Sequence, residues 1–584
     1  MHSTFLIAFL ALIATPLLAQ ECSGDMPDLS RGWVCRTGDS ERWADPDLDD
    51  AAWKPIEVGK PWEEAGLGDY DGFAWYRLRF RIPEPLKDNA DFQTYKTLKL
   101  QLGKIDDVDR TWLNGNVIGE TGAFPENFAG AWTTLREYKV PADLFRWDED
   151  NVLAVRVYDH GGGGGMYEGP YGIEVASWRD FFGIAIDLGR GDGIFAGEDA
   201  FKVSATLQND TPRHMAGTVR WRIEDDAGTV LLQASANAAV AADSAEEVRC
   251  EFTPDAPGFY RVTCSFESEF DDSGATATKF LGYRPEEVQA SLTREPDFDA
   301  FWAKTLDALG EVDPQFEMIR HADGDTETHE LYEVKMRSLG NVRVKGWYEK
   351  PKAEGAFPAV LHLPGYTQSI GPTKTGDPVA VLSFNIRAHG NSQEDVKGEP
   401  ADYWVRGLDD KEGYFYQGAY ADCVRAVDFL ASRPEVDQSR IAVTGGSQGG
   451  GLSLATAALD RRISLCAPDI PFLCNWEKYF KASHWPEMEQ WIEAEPHRSW
   501  ESVLRTLSYF DTLNMAERVT CPVFLGLGLQ DAVCPAATIF AVYNHLEVPK
   551  SYRVYPNAGH WVEPSHQAEK RSWMLRHFGL MSEH

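Results

Sequence analysis

A cluster of glycines between an apolar run and an alanine-rich segment constrains the C-terminal half of this chain more than any other feature. Residues 441–459 read IAVTGGSQGGGLSLATAAL, with five glycines placed around Ser447. The β-branched and apolar residues before the glycines favour a buried strand, and the apolar, alanine-rich residues after them favour a helix. A strand that passes into a helix through such a turn predicts an α/β fold with a serine held at the turn.

The spacing Gly445-x-Ser447-x-Gly449 gives this serine a chemical meaning. Side chains beside such a sharp turn would clash with the adjacent strand and helix, and Gly445 and Gly449, with Gly446 as the third glycine of the turn, avoid this. The following helix presents free N–H groups and its positive dipole end to developing negative charge. We therefore predict that Ser447 is a nucleophile in a nucleophile elbow; the alternative is a glycine-rich turn without chemistry.

A serine hydroxyl needs a base, and the base needs an acid that orients it. In the fold predicted here, the acid and then the histidine follow the serine along the chain. Asp531 ends the apolar run CPVFLGLGLQD, and His560 follows a strand pattern and a glycine turn in SYRVYPNAGHW. We expect Asp531 to hold the imidazole, and His560 to take the serine proton and return it to a leaving alcohol.

Backbone donors for an oxyanion complete the predicted site. One donor should be the N–H of the residue after the nucleophile, Gln448. The other should come from the loop after an early strand, which here reads LPGYTQS, and Tyr366 is the expected donor.

Strand and helix patterns alternate from about residue 285 to the C-terminus. Unbroken apolar runs bounded by turns are typical of strands buried on both faces of a parallel sheet. These runs cover residues 357–366, 379–390, 440–446 and 521–531. Residues 418–433, between two of the runs, have apolar residues on one helical face, so the sequence predicts a doubly wound α/β-hydrolase domain over residues 285–584.

Two β-rich segments precede that domain. Residues 21–182 alternate short strand patterns with Gly and Asn-Gly turns, which predicts an antiparallel sandwich. Residues 183–284 predict a second, immunoglobulin-like sandwich that serves as a spacer, with Cys250 and Cys264 on adjacent strands. In the first segment, Trp112, Trp132 and the glycine-rich residues 159–172 form either a ligand-facing rim or an aromatic core with a flexible loop.

The N-terminal sequence indicates the localisation of the protein, and the overall charge limits its binding partners. An apolar run of about 14 residues, too short to span a bilayer, predicts a cleaved signal peptide over residues 1–20 and no membrane anchor, so the protein is expected to be secreted or periplasmic. The net charge of −35 argues against nucleic acid and anionic membranes as partners.

Nine cysteines in an oxidising compartment raise the question of disulfide bonds. Cys22 and Cys35 are close in sequence and could be bridged, as could Cys250 and Cys264. The connectivity cannot be deduced, and the odd count leaves at least one thiol free or intermolecular. No pairing of cysteine and histidine has the spacing of a zinc site, so no metal is expected.

Roughly the last 300 residues resemble the acetyl xylan esterase / cephalosporin-C deacetylase family, an α/β-hydrolase family of the carbohydrate esterase family 7 type. The motifs that carry the resemblance are GGSQGGG, PGYTQ, GLQDAVCPAATIFAVYNHL and YPNAGH, in that family's order. The resemblance implies Ser447, Asp531 and His560 as the triad, and Tyr366 and Gln448 as oxyanion donors. It also implies closed oligomers, although the added β domains could prevent or reshape them.

The N-terminal segment resembles a different family. The stretches RWADPDLDDAAWKPIEV, WYRLRFRIP and DDVDRTWLNGNVIG resemble the sugar-binding jelly roll of family 2 glycoside hydrolases. This resemblance implies a galactose-binding-like fold and contact with carbohydrate.

Three residues near the predicted site depart from the acetyl xylan esterase pattern. In IRAHGNS, residues 386–392, Arg387 and Ser392 are kept, but Ala388 and His389 replace Gly-Gln. Trp561 follows the predicted catalytic histidine where Glu is common. The packing of the first loop, and with it the substrate preference, is therefore left open.

We predict a secreted serine esterase that removes acetyl groups from acetylated oligo- or polysaccharide through an acetyl-enzyme, with no metal or organic cofactor and with a homo-oligomer as one possible state. Aromatic residues in 475–480 and 484–495 either stack on sugar or form the core of a lid. The alternatives are a serine peptidase of the prolyl-oligopeptidase type, and a carbohydrate-binding protein whose hydrolase domain is inert.

Overall fold

The computed structural model describes residues 26–582, except residues 69, 127, 198–199, 271–273, 397–402 and 484, and gives no side-chain placement for Pro486. The predicted signal peptide and Cys22 lie outside the described residues. The chain forms two compact units, the first ending at Trp178 and the second beginning at Arg179. In the part of the chain that the structure describes, no helix is both long and apolar enough to cross a membrane.

The first unit is built from antiparallel strands and one short helix. Its elements are β1 (Val34–Thr37), β2 (Lys54–Pro55), β3 (Gly72–Arg81), α1 (Ala90–Tyr95), β4 (Thr97–Asp106), β5 (Val108–Leu113), β6 (Asn116–Thr121), β7 (Leu135–Pro141), β8 (Asp150–Asp159) and β9 (Gly165–Val175). A six-stranded sheet has the order β2-β1-β3-β8-β5-β6, and a three-stranded sheet has the order β7-β4-β9. Alternate residues of β4, namely Leu98, Leu100 and Leu102, are buried in a core that also contains Val155 of β8.

The second unit begins with two further β-sheets. Their strands are β10 (Phe182–Asp187), β11 (Ile194–Phe195), β12 (Phe201–Asn209), β13 (Met215–Asp225), β14 (Val230–Val240), β15 (Ser244–Phe252), β16 (Gly258–Ser268) and β17 (Gly274–Tyr283). The orders are β10-β12-β15 and β11-β17-β16-β13-β14.

The placement of Cys250 and Cys264 differs from the expectation. Cys250 in β15 pairs with Val203 of β12, whereas Cys264 in β16 pairs with Trp221 of β13, so the two residues lie in different sheets. Both are buried free thiols, so the structure does not contain the disulfide considered from the sequence. The expectation was wrong because the chain crosses from one sheet to the other after β15, instead of folding back as a hairpin.

The rest of the second unit is a nine-stranded sheet with helices. Its strands are β18 (Glu317–Arg320), β19 (His329–Ser338), β20 (Val342–Pro351), β21 (Phe357–Leu363), β22 (Ala380–Asn385), β23 (Val436–Gly446), β24 (Ile463–Asp469), β25 (Val523–Gly528) and β26 (Lys550–Tyr555). The helices are α2 (Phe298–Gly310), α3 (Phe415–Ala431), α4 (Gln448–Leu459), α5 (Trp476–Ala482), α6 (Pro486–Glu493), α7 (Trp500–Leu507), α8 (Thr512–Met515), α9 (Ala536–His545) and α10 (Pro564–His577). The sheet order is β18-β19-β20-β22-β21-β23-β24-β25-β26.

This sheet confirms the coarse fold class predicted for the C-terminal half. The pairs from β22 to β26 are parallel, while β18, β19 and β20 pair antiparallel. Every residue of β22 and of β25 is buried, as expected for strands covered on both faces. The helix α3 was predicted with one apolar face, but nearly all of it is buried, including Asp422 and Arg425, because α2 and α4 also pack against it.

The predicted boundary at residue 284 is bridged by direct contacts within the second unit. The Gln530 side chain accepts a hydrogen bond from the Phe280 N–H at 2.8 Å and donates one to the Phe280 carbonyl at 3.0 Å. The rings of Phe259 and Phe540 lie 5.4 Å apart. The sheet that contains β16 and β17 therefore contacts the residue directly before Asp531.

Candidate active site

Ser447 occupies the turn between β23 and α4 with an unusual backbone conformation. Its φ of 55° and ψ of −119° lie where a residue with a side chain is strained. The Ser447 N–H donates to the Asp469 carbonyl at 3.0 Å, and the Ser447 carbonyl accepts from the N–H groups of Gly451 and Phe472 at 3.1 and 2.9 Å. These bonds on both sides of the residue hold the strained turn in place.

The glycines around Ser447 are required to different degrees. A Cβ on Gly445 would lie 2.7 Å from the Leu363 carbonyl oxygen, and a Cβ on Gly449 would lie 2.3 Å from the same atom. A Cβ on Gly446 would meet nothing within 4 Å. Close backbone approach therefore explains Gly445 and Gly449, as expected from the sequence, but does not explain Gly446.

Two further glycines of the motif, to which the sequence analysis gave no role, are equally confined. A Cβ on Gly450 would lie 2.6 Å from the Asp469 carbonyl oxygen, and one on Gly451 would lie 2.3 Å from that of Phe472. The first turn of α4 therefore packs directly on the backbone that follows β24.

Ser447, His560 and Asp531 form one chain of hydrogen bonds. His560 Nε2 lies 3.0 Å from Ser447 Oγ, and His560 Nδ1 lies 2.8 Å from Asp531 Oδ2. The other oxygen, Asp531 Oδ1, accepts the N–H groups of Val533 and Cys534, each at 2.8 Å. The buried carboxylate is thus fixed with one oxygen directed at the imidazole, which is the arrangement of a nucleophile, a base and an orienting acid.

Cys534 lies close enough to raise the question of a metal. Single ligand atoms of Asp531, Cys534 and His560 lie within 4.8 Å of one another. Both ring nitrogens of His560, however, already face Asp531 and Ser447. Burial raises the pKa of the Cys534 thiol well above its ordinary value, which favours the neutral thiol over a metal-binding thiolate.

Gln448 connects the start of α4 to the loop that contains Tyr366. The Gln448 side chain is buried, and its Nε2 donates to the Gly365 carbonyl at 3.2 Å while its Oε1 accepts from the Tyr416 hydroxyl at 2.7 Å. Gly365 directly precedes Tyr366. The two residues predicted as oxyanion donors therefore belong to segments that one side chain joins.

His389 completes the environment of Gln448. His389 is buried, with Nε2 at 3.1 Å from Gln448 Nε2 and Nδ1 at 3.2 Å from the Arg387 carbonyl oxygen. Burial lowers the pKa of His389 to about 4, so the ring is neutral at pH 7. These partners assign the proton to Nδ1, which donates to the Arg387 carbonyl, and leave Nε2 to accept from Gln448.

The loop around His389 is held by a buried ion pair. Arg387 donates from Nε and from a terminal nitrogen to the two oxygens of Asp422, both at 2.8 Å. Ala388, where the resembled family has Gly, has a φ of 64°, which a residue with a side chain adopts at a cost. Sequence reasoning noted the change at Ala388 and His389 but found neither Asp422 nor the contact with Gln448.

A second buried polar group lies beneath the turn. Asp469, whose carbonyl accepts the Ser447 N–H, also receives His566 Nε2 on its carboxylate at 2.8 Å and pairs with Lys570. Although burial alone would raise it, the pKa of Asp469 is lowered by Lys570 and His566. His566 therefore has a carboxylate partner of its own, separate from the line that joins Ser447, His560 and Asp531.

The aromatic residues predicted as a sugar platform or a lid core divide between two environments. Trp476 and Tyr479 are buried, with ring centroids 5.2 and 5.3 Å from that of Phe472, and so belong to the core. Trp485 is only partly buried, and its ring centroid lies 6.5 Å from that of Tyr366. Trp485 is therefore the aromatic residue of this group placed beside the predicted oxyanion loop.

Acetyl esterases are among the known proteins to which this chain is similar. The acetyl esterase Axe7A of Xylanibacter ruminicola is 28% identical over 341 residues, which cover 55% of this chain and 74% of that protein. The solved acetyl xylan esterase from Paenibacillus sp. R4 has 34% identity and a TM-score of 0.48, over 50% of this chain and 98% of that one. Acetyl xylan esterase 1 from Thermoanaerobacterium sp. JW/SL YS485 has 29% identity and a TM-score of 0.48, over 51% of this chain and 98% of that one.

A family model described as acetyl xylan esterase (AXE1) matches residues 278–577, about half of the chain. The matched segment contains Tyr366, Ser447, Gln448, Asp531 and His560. This chain belongs to the acetyl xylan esterase family.

Proposed function

We propose that this protein is a serine esterase that removes acetyl groups from acetylated carbohydrate, acetyl xylan or related oligosaccharides, with Ser447 as nucleophile. The observation that carries the proposal is the line of hydrogen bonds from Ser447 Oγ through His560 to the buried carboxylate of Asp531. Membership of the acetyl xylan esterase family supports the choice of an acetyl ester on sugar as the substrate.

In the first half of the reaction, Ser447 Oγ attacks the acetyl carbonyl carbon while His560 Nε2 takes the hydroxyl proton. The carbonyl oxygen becomes an oxyanion, which accepts hydrogen bonds from the backbone N–H groups of Gln448 and Tyr366. Collapse of this intermediate breaks the bond to the sugar oxygen. His560 gives that oxygen the proton, so the sugar leaves as an alcohol and the acetyl group stays on Ser447.

In the second half, water replaces the sugar. His560 takes a proton from the water, whose oxygen attacks the acetyl-enzyme, and the same N–H groups hold the second oxyanion. Collapse releases acetate and returns the proton to Ser447. Throughout, Asp531 holds Nδ1 of the imidazole and stabilises its charged form, and no step requires a metal or an organic cofactor.

The finer domain assignment belongs to the same proposal. We infer a galactose-binding-like jelly roll over residues 21–182, an immunoglobulin-like sandwich over 183–284 and the catalytic α/β-hydrolase domain over 285–584. The sheets of β1–β9 and of β10–β17, in which the paired strands are antiparallel apart from β11 and β17, support the first two. A cleaved signal peptide over residues 1–20 would direct the protein to the periplasm or the medium, and association with further copies of itself remains part of the prediction.

The test is a panel of substrates with one active-site variant. Purified protein is incubated with acetylated xylo-oligosaccharide and, separately, with a set of peptides, and released acetate and cleaved peptides are quantified. We expect acetate release that Ser447→Ala abolishes. Ser453→Ala, in the helix that follows Ser447, is the control and should keep its acetate release. Cleavage of peptide bonds would instead identify a peptidase, and binding of the glycan without acetate release would identify an inert hydrolase domain.

A further inference from the structure

Three aspartates of the first unit converge at the ends of two strands that lie in different sheets. Asp106 ends β4, Asp107 follows it, and Asp159 ends β8. One carboxylate oxygen from each of the three lies within 4.8 Å of the others. Asp159 is fully buried and Asp107 is 8% exposed, so the carboxylates are not spread out into solvent.

The hydrogen bonds around these carboxylates leave one buried oxygen without a partner. Asp159 Oδ1 accepts the Gly161 N–H at 2.8 Å, and Asp107 Oδ2 accepts the His160 N–H at 3.0 Å. Among the residues that the structure describes, none offers a hydrogen bond to Asp159 Oδ2, which is buried. Because buried oxygens are normally satisfied, this atom indicates a ligand that the protein chain does not itself supply.

Arg136 compensates the negative charge of the cluster only in part. The charge of Arg136 attracts the carboxylate of Asp106. Its Nε, however, donates to Asp109 at 2.9 Å, in an ion pair whose two side chains are fully buried. One negative charge therefore already matches that of Arg136.

We propose that Asp106, Asp107 and Asp159 bind a divalent cation, with Ca²⁺ as the preferred ion. Calcium–oxygen distances are about 2.3–2.6 Å, so oxygens that share one ion lie no more than about 5 Å apart, and the three aspartate oxygens, all within 4.8 Å of one another, are close enough to do so. The group contains carboxylates and no histidine or cysteine, which favours a hard cation over zinc. Mg²⁺ keeps several of its waters, and a cluster this buried suits Ca²⁺ better.

The glycine-rich segment after Asp159 forms one wall of this site. A Cβ on Gly164 would lie 2.3 Å from the Trp62 ring, and a Cβ on Gly165 would lie 2.4 Å from the Tyr76 hydroxyl, so this loop is packed against both side chains. A Cβ on Gly130 would lie 2.7 Å from Asp107 Oδ1. Gly164 and Gly165 therefore let the loop pack on Trp62 and Tyr76, and Gly130 lets the backbone approach Asp107.

The first measurement uses the full-length protein after removal of cations with EDTA. Calorimetric titration with CaCl₂ should show saturable binding of one equivalent, and the Tm should rise with added Ca²⁺ but less with Mg²⁺. Terbium(III), which takes the same oxygen ligands, should give luminescence through excitation of Tyr158, and Ca²⁺ should displace it. Absence of both saturable binding and displaceable luminescence would overturn the proposal and leave protons as the sole ligands of the carboxylates.

Matched variants locate the site. Asp159→Asn keeps the shape and removes the charge, and we expect it to weaken Ca²⁺ binding at least tenfold. Asp150→Asn is the control: it lies on the same strand, is 60% exposed, pairs with Arg81 and should bind Ca²⁺ like the wild type. Equal weakening in both variants, or unchanged binding in Asp159→Asn, would contradict the assignment. Should Asp159→Asn fail to fold, Asp106→Asn replaces it in the same comparison.

Discussion

At the scale of single residues, catalysis depends on which ring nitrogen of His560 carries the proton. In Asp531→Asn, the side-chain oxygen can still accept the N–H groups of Val533 and Cys534, which leaves the amide NH₂ facing Nδ1. Nδ1 must then accept, and the proton moves to Nε2, where it blocks removal of the Ser447 proton. We expect the rate of acetate release to fall by about 10³–10⁴-fold with the fold retained. A variant within tenfold of the wild type would show that Asp531 does not orient the base.

His389 makes a second prediction at this scale, on the pH dependence of stability. Its pKa is lowered from an ordinary value of 6.5 to about 4 in the folded protein. Between these pH values, His389 is therefore protonated in the unfolded chain and neutral in the folded chain. The contribution of His389 is complete above pH 6.5 and is lost as the pH falls towards 4, at up to about 1.4 kcal/mol per pH unit. His389→Gln can still accept from Gln448 but does not titrate.

Urea unfolding at pH 7 and pH 5 checks this, and the loss of unfolding free energy on acidification should be smaller in His389→Gln than in the wild type. His362, whose pKa burial also lowers to about 4, is present in both proteins and provides the background slope. Identical pH dependence in the two proteins would mean that His389 is not buried as a neutral acceptor.

At the scale of elements, the space around the glycines at the junction of β23 and α4 predicts which of them can be replaced by alanine. Gly449→Ala would put a Cβ 2.3 Å from the Leu363 carbonyl oxygen, a backbone atom that cannot rotate away. Overpacking of this kind costs about 1–3 kcal/mol, and the displaced backbone leads directly into the loop of Tyr366, so acetate release should fall as well. Thermal unfolding and acetate assays measure both effects.

Gly446→Ala is the matched control, because its Cβ would meet nothing within 4 Å. We expect its stability to stay within about 0.5 kcal/mol of the wild type. If the two alanine variants behave alike, close backbone approach is not the reason for these glycines.

The elements around the site also show what could be predicted from sequence. Ser447, Asp531 and His560 could be placed because each follows a strand pattern at a turn marked by glycine or polar residues, and parallel strands bring such turns to one edge. Asp469 and His566, 97 residues apart, form a buried pair that no local pattern announces. The same holds for Arg387 and Asp422, whose partners are set by tertiary packing.

The roles of aromatic residues were harder to predict from the sequence, because the same side chains are common in buried cores and in ligand-binding surfaces. Trp112 was one candidate for a ligand-facing rim, but it is buried and stacks on Trp75 with centroids 5.0 Å apart. Trp132, its companion in that interpretation, is 36% exposed. Sequence patterns alone could not separate these two environments.

At the scale of the whole molecule, the described contacts suggest a different working unit from the predicted domain. The Gln530 side chain bonds both the N–H and the carbonyl of Phe280, so residues 183–284 support the residue beside Asp531. We expect a chain of residues 179–584 to keep its acetate release on a small acetyl ester. A chain of residues 285–584 should be less stable by about 1–3 kcal/mol from the two lost hydrogen bonds.

Gln530→Ala in the full chain separates these hydrogen bonds from the general effect of truncation, and it should lower activity without removing the fold. Thermal unfolding and acetate release per mole of protein measure all three changes. Equal stability and activity of the two truncated chains would show that residues 183–284 are only a spacer, as the sequence suggested.

The central claim, that Ser447 activated by His560 is the nucleophile of an esterase, is tested most directly by covalent labelling. A fluorophosphonate reacts with an activated serine, and peptide mass spectrometry locates the phosphonyl group while acetate release from acetylated xylo-oligosaccharide is followed on the same samples. We expect a single label on the peptide containing Ser447, loss of activity in proportion to labelling, and no labelling in His560→Ala. Full activity after stoichiometric labelling, or a label on another residue that tracks the loss of activity, would contradict it.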